Sequence, residues 1–510
     1  MPPQSMTHLV RSAFCTVAIA VALGLCTIIV RPAIQLDIIA PQDEGILLVY
    51  PDLILRGYRP YSDFAALYSP GGFYFLAGMF KVFGSSVIVE RCAGLLYWYL
   101  VMVALFLLGS RVGRVTGTLA VITALAYSSL YQSPGAHPHF AAFACMLFAL
   151  FCASSDTTSN TSFAKAVPLL AGVLAGTTFW IKQDLGVVAV LGTLASFAFG
   201  SPNPRKYFQL LTFLLGLSIP ACGLVIFALL VGPASVIDSL VLDPLRSAPG
   251  RVLPLTPSLD LIVVIVCVTV QLYGAAIARN PTVPEYLVRL SRGIATATVF
   301  FALSLLHRFG VGDISWVGSI MVSLTVISVR ITLTHLRFGQ QRAAVVVASC
   351  LLIGLLPVFV RHFTDPPEHP PISSVLSRGR TVPWVPNDIG LQDLLVDINR
   401  RSSPGDKLFV GPTDLRFAIS NTTFLYYLLP QLVPATRYLE MNPGCANRSG
   451  SGLADQIVRA DWLILTPEYN RAFEPNASDI PGPSAPNDIV RANFCVLSQH
   501  SPWLLLHRCG

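Results

Sequence analysis

Charge is what this 510-residue chain has least of: Asp, Glu, Lys and Arg together make up 12% of it, about half the share carried by soluble domains. With a mean hydropathy of +0.63, that deficit excludes an ordinary soluble globular protein and describes a membrane protein. Runs of Lys and Arg are also missing despite a net charge of +7, so no nucleic-acid patch is implied. There is no G-x-x-x-x-G-K-[ST] loop to hold a nucleotide, and no internal repeat of the kind that builds the two halves of many secondary transporters. Closely spaced cysteines are lacking as well. Of the 11, those from Cys15 to Cys350 lie in apolar segments, where a thiol behaves as a small hydrophobe. Cys445, Cys495 and Cys509 are too far apart in sequence for a zinc site, and Cys495 and Cys509 can pair if their region is extracytoplasmic.

What is present is a series of long apolar runs. Residues 12–30, 92–110, 261–278 and 343–360 contain no Asp, Glu, Lys or Arg, and each is long enough to cross a hydrocarbon core of about 30 Å as a helix. Weaker runs at 115–133, 138–154, 166–181, 185–203, 207–231, 293–307 and 315–334 bring the expectation to about eleven spans. The first run resembles a signal peptide, but no small-residue cleavage site follows it before Arg31-Pro32, so it is read as a span. A cytoplasmic N-terminus then gives every inner loop a Lys or Arg, as the positive-inside rule requires. Residues 70–84, "PGGFYFLAGMFKVFG", are too short and too glycine-rich for a span, and predict an interfacial or re-entrant helix in a first outer loop over 31–90.

After Val360 the composition turns proline-rich, so the expected domains are a transmembrane unit over 1–362, a linker over 363–388 and a small α/β unit over 389–510. A helical period over 389–401 and strand-like runs at 407–411, 461–466 and 503–508 support the last. An odd number of spans places it outside the cytoplasm, in a multi-pass protein of the cell membrane.

The polar chemistry gathers in the first outer loop, which opens on Asp43-Glu44. Neighbouring helix residues point about 100° apart, so these two cannot act as one carboxylate dyad. One can serve as a base while the other holds a cation or an amide. The same residues also read as an acidic first turn of a helix. The loop continues through Gly57-Tyr58-Arg59-Pro60-Tyr61-Ser62-Asp63, the aromatic stretch 70–84, and Arg91 at the start of the second span.

That sequence of elements resembles the GT-C superfamily of polytopic glycosyltransferases, which includes protein mannosyltransferases and lipid A aminoarabinose transferases. The likeness is clearest over residues 12–115. Lys182 with Asp184, and "HRFGVGDISW" containing Arg308 and Asp313, resemble later family elements, although Trp316 stands where the family pattern has His. The resemblance implies an inverting transfer of sugar from a polyprenyl-phosphate donor to a glycan, lipid or protein acceptor at the outer membrane face. It assigns Asp43 as base with Glu44 in reserve, and Arg91, Lys182 and Arg308 as donor-phosphate ligands. Arg59, Tyr61, Asp63, His137, His139, Asp184 and Asp313 are then cavity candidates.

The residue types suit that chemistry. A glycosyl phosphate already carries a good leaving group, so transfer needs one base and cations for the developing phosphate charge, where glycoside hydrolysis needs a second carboxyl as acid. Structural readings stand beside these: Arg91 can pair with Glu90, Lys182 with Asp184, and either cation can snorkel to headgroups. His137 and His139 offer only two ligands, so a donor or capping role competes with metal binding. No cofactor motif is present, and a divalent cation is left open. The stretch 424–457, dense in Tyr, Pro, Asn and Gly, can shape an acceptor cleft or form loops of a small domain. Asn421, Asn447 and Asn476 begin Asn-x-Ser/Thr triplets. Two other classes remain: a transporter or lipid-linked-sugar flippase, against which stands the lack of charge within the spans, and a non-catalytic assembly or sensor protein.

Overall fold

The computed structural model describes residues 39, 42–128, 135–155, 162–198, 206–247, 259–278, 283–305, 313–335, 373–384, 389–417, 421–467 and 481–509. The expected spans over 12–30 and 343–360, Arg308 and Asn476 lie outside these residues. Two short helices open the described chain, α1 (Asp43–Leu55) and α2 (Pro70–Phe83). The second is the short aromatic helix expected over 70–84, started by Pro70 at its first turn and ended at Gly84, where φ is +87°.

A bundle of apolar helices follows: α3 (Val87–Ser110), α4 (Arg114–Ser128), α5 (Pro138–Ala153), α6 (Ser162–Ile181), α7 (Gln183–Ala198), α8 (Lys206–Val231), α9 (Leu259–Ile277), α10 (Glu285–Leu305) and α11 (Asp313–His335). Among the described residues three helices, over Val87–Ser110, Lys206–Val231 and Glu285–Ser304, are long and apolar enough to cross a membrane, and the other bundle helices contribute apolar segments of 10–17 residues. Helix α8 leaves Leu211, Leu215, Ile219, Leu229 and Leu230 more than half exposed, which only a lipid or protein covering would tolerate. It reaches α6 through glycines. A Cβ added at Gly172 would lie 2.1 Å from Phe213 O, and one at Gly216 would lie 2.1 Å from Leu169 O, so the two backbones touch where side chains are absent.

The C-terminal unit begins earlier than the proline content suggests. Within the stretch read as a linker, β1 (Ser373–Ser377) and β2 (Arg380–Trp384) form an antiparallel hairpin, turning through Arg378 and Gly379 at positive φ. Helix α12 (Ile389–Arg401) packs beside it, with Arg378 Nε donating to Asn399 Oδ1 at 3.0 Å. A 5-stranded sheet then runs in the order β4 (Val433–Pro434), β3 (Lys407–Pro412), β5 (Trp462–Thr466), β7 (Trp503–Arg508), β6 (Phe494–His500). Strands β4, β3 and β5 are parallel, and β7 and β6 are antiparallel to their neighbours. The strand-like runs of the sequence are β3, β5 and β7, whose central apolar residues are mostly buried. Strand β6 is mostly exposed and polar at its end, which hides it from a hydrophobicity reading. Cys495 and Cys509 are joined as a disulfide at the open ends of β6 and β7.

Candidate active site

Helix α1 carries the acids. Its interior is apolar, so Glu44 through Leu53 sinks into the protein, while Asp43 on the first turn stays exposed. The Asp43 carboxylate makes no hydrogen bond or ion pair with another described residue. Glu44 does the opposite. Arg91, one turn into α3, donates Nε to Glu44 Oε1 at 2.5 Å and Nη2 to Oε2 at 3.1 Å, and neither side chain is exposed. This bidentate pair is the strong form of the Arg–carboxylate interaction. Glu90, the residue before Arg91, is also fully buried and brings a second carboxyl beside Glu44. Its Oε1 accepts from the Ala136 backbone N–H at 2.5 Å, which ties the start of α3 to the turn before α5. Glu90 is the residue sequence reasoning undervalued: an acid next to an Arg at a span start was read only as a structural pair for that Arg.

That turn presents the two histidines. His137 precedes Pro138 at the start of α5 and is 6% exposed, and its ring lies 6.4 Å from that of His139. Among the described residues no group of three or more His, Cys, Asp and Glu is placed to hold a metal ion. His139 instead faces Tyr68, rings 6.1 Å apart and edge to face. Lys182, between α6 and α7, sits over the same tyrosine ring at 5.3 Å and pairs with Asp184 at 3.1 Å. Lys182 is 3% exposed and Asp184 is largely open. The structure thus gathers His139, Lys182 and Asp184 around Tyr68, which no motif had marked. Gln183 secures the arrangement, donating to Leu67 O at 2.8 Å and meeting Ser69 Oγ at 3.2 Å.

The Gly57–Asp63 turn, whose Arg59, Tyr61 and Asp63 were cavity candidates, is held by contacts of its own. Arg59 and Asp63 pair with each other on the surface, and the Asp63 carboxylate accepts from the Arg59 backbone N–H at 2.7 Å, a local cap of the turn. Tyr61 is fully buried at a φ of 69°, in the left-handed region that non-glycine residues rarely adopt. It is held there from every side: its hydroxyl donates to Tyr68 O at 2.8 Å, its N–H to Phe64 O at 2.7 Å, and its carbonyl accepts from Arg437 Nη2 at 3.0 Å. Tyr61 therefore shapes the loop that delivers Tyr68. Asp313 begins α11, and Arg308 falls outside the described residues.

The remaining charges of the first loop face the C-terminal unit. Asp52 accepts from Arg56 and, through both oxygens, from Arg380 of β2 at 2.8 and 3.0 Å. Arg380 also stacks over the Tyr427 ring at 4.6 Å. The Tyr50 hydroxyl donates to Glu440 Oε1 at 2.6 Å, and Asn442 Nδ2 donates to Glu440 Oε2 at 2.7 Å. Burial first and Glu440 second push the Tyr50 phenol well above its ordinary range, so it stays a donor. The Tyr- and Asn-rich stretch is thus built against α1, with Phe64 stacked on the Tyr50 ring and Phe73 meeting it edge to face.

Solved structures share this architecture. The archaeal oligosaccharyltransferase AglB from Archaeoglobus fulgidus, in complex with an inhibitory peptide and a dolichol-phosphate, superposes with a TM-score of 0.50 at 11% identity, over 89% of this chain and 70% of AglB. The arabinofuranosyltransferase AftD from Mycobacteria, in a mutant form, gives a TM-score of 0.50 at 14% identity, over 94% of this chain and 39% of AftD. ArnT from Cupriavidus metallidurans bound to undecaprenyl phosphate gives 0.49 at 12% identity, over 97% of this chain and 98% of ArnT. No protein-family model and no curated protein matches the chain. At such identities the likeness is one of fold.

Proposed function

We propose that this chain, an integral membrane protein with the GT-C fold, transfers a sugar from a polyprenyl-phosphate donor to a hydroxyl-bearing acceptor with inversion. Asp43 takes the proton of the acceptor hydroxyl as its oxygen bonds to the anomeric carbon. The bond from that carbon to the phosphate oxygen breaks, and its electron pair leaves on the polyprenyl phosphate, which gains one negative charge. Lys182 stands ready for that charge beside Tyr68 and His139, and Arg308 is its expected companion.

The observation that carries this reading is the different fate of the two adjacent acids. Glu44 is consumed by Arg91 in a sealed ion pair, whereas Asp43 is open and unengaged, as a base awaiting substrate must be. Arg91 accordingly acts here as the clamp on Glu44, which leaves the phosphate to Lys182. The dolichol-phosphate in the AglB complex supports a lipid-linked phosphate as ligand of this fold. The Cys495–Cys509 disulfide supports an extracytoplasmic C-terminal unit, since such bonds persist in oxidising compartments.

The test is transfer of radiolabelled sugar from polyprenyl-phosphate mannose, arabinose and glucose by purified protein in lipid. Wild-type transfer that falls at least a hundredfold in Asp43→Asn, with the fold intact, is expected. Equal transfer by the two proteins would remove Asp43 as base, and no transfer from any donor would remove the reading.

A further inference from the structure

The start of α1 lacks a cap of its own: Gln42, at the N-cap position, makes no side-chain cap hydrogen bond. The Gln42 carbonyl, which already accepts from Ile46 N–H, is met in addition by a residue 381 positions away. Thr423 is fully buried, and its Oγ1 donates to the Gln42 carbonyl at 3.1 Å, immediately before Asp43. The approach is as close as backbone allows. A Cβ on Gly45 would lie 2.2 Å from Thr423 Oγ1 and 2.8 Å from the Phe424 N atom.

Thr423 is itself fixed to the C-terminal sheet. Its N–H donates to Asn421 O at 2.9 Å, and Asn421, 1% exposed, donates Nδ2 to Val410 O of β3 at 2.9 Å and to Leu439 O at 2.8 Å. A short chain of contacts therefore runs from β3 through Asn421 and Thr423 to the backbone that carries Asp43. Further along the same helix, Glu440 on Tyr50 and Arg380 on Asp52 restrain its roll and tilt.

We propose that Thr423 is a positioning residue for Asp43, so that the C-terminal unit is part of the transfer site. The proposal rests on Asp43 being the base. A base must stand within hydrogen-bond reach of the proton it takes, and misplacement by about 1 Å can cost about a hundredfold in rate. A threonine hydroxyl on a carbonyl one residue away sets position at that scale.

The experiment uses the full chain in lipid nanodiscs, comparing wild type with Thr423→Val, which keeps the shape and removes the hydroxyl, and Thr423→Ser, which restores it. Steady-state transfer from the polyprenyl-phosphate sugar that supports wild-type activity is read together with amide hydrogen exchange over residues 42–50. Thr423→Val is expected to lower kcat tenfold or more per folded molecule, with donor KM within twofold, and to speed exchange in the first turn of α1. Thr423→Ser is expected to recover both. A Thr423→Val protein with wild-type kcat, or one that loses activity only in proportion to folded protein, overturns the proposal, as does unchanged exchange. Equal transfer by wild type and Asp43→Asn, while exchange still responds to Thr423→Val, overturns the Asp43 reading, and is thereby told apart from failure of the contact itself.

Discussion

Glu44 and Arg91 are joined by two hydrogen bonds with neither side chain reaching solvent, and they connect the loop helix to the bundle. Removing one partner strands a charge that water cannot reach, and Glu90 alongside adds a second carboxyl to the same guanidinium. Glu44→Gln and Arg91→Met are each expected to destabilise by about 3–5 kcal/mol, and the double variant by less than their sum. Thermal unfolding of detergent-solubilised protein reads all three. Additive losses would mean that the two side chains stabilise independently.

Gly45 separates two opposing effects. Alanine favours a helix over glycine by about 1 kcal/mol, which by itself would stabilise α1. The added methyl, however, meets Thr423 Oγ1 at 2.2 Å and the Phe424 N atom at 2.8 Å, and a backbone atom cannot rotate away. Crowding wins, at about 1–3 kcal/mol. Gly45→Ala is therefore expected to lower the unfolding midpoint. A raised midpoint would show that α1 and the Thr423 turn are not in contact.

How far the sequence announced this arrangement depends on whether contacts are local. Helices α2 and α12 and strands β3, β5 and β7 were legible because their own apolar periods define them. The Asp43-Glu44 pair was visible as a charge cluster in an uncharged chain. What stayed hidden was partnership across distance. Nothing local in Thr423, Arg380 or Glu440 says that they meet Gln42, Asp52 and Tyr50, and Tyr68 became central only once the loop folded His139 and Lys182 onto it. Strand β6 and the β1–β2 hairpin were missed for another reason: their polar and proline residues lie on exposed faces or ends, where the period-2 signal fails.

The Asn-x-Ser/Thr triplets at Asn421 and Asn447 lose their surface meaning in the fold. Asn421 is 1% exposed and Asn447 6% exposed. Both spend their side-chain amides on backbone carbonyls, Asn447 on Arg416 O at 2.9 Å. Neither can present its amide nitrogen to a modifying enzyme once folded. Expression in a glycosylating secretory host is expected to leave both unmodified, as checked by mass spectrometry of the peptides. A glycan on either would mean that this region is open during or after folding.

Asp397 in α12 gives the C-terminal unit an acid limit. Burial alone would raise its carboxyl, but bonds from Arg401, Ser498 and His500 outweigh burial and bring it down to about 2. A carboxylate depressed in the folded state contributes stability that is fully present above its unfolded value, about 3.9, and is lost as pH falls through the folded value. Asp397→Asn removes the titrating charge that Arg401, Ser498 and His500 stabilise. At pH 6 the variant is therefore expected to unfold at a lower temperature than wild type, and the gap is expected to narrow as pH drops from about 4 towards about 2, because wild type alone loses its carboxylate there. Thermal unfolding across that range in detergent provides the measurement. A gap that stays constant down to pH 2 would show that Asp397 stabilises the unit through shape, with its charge irrelevant.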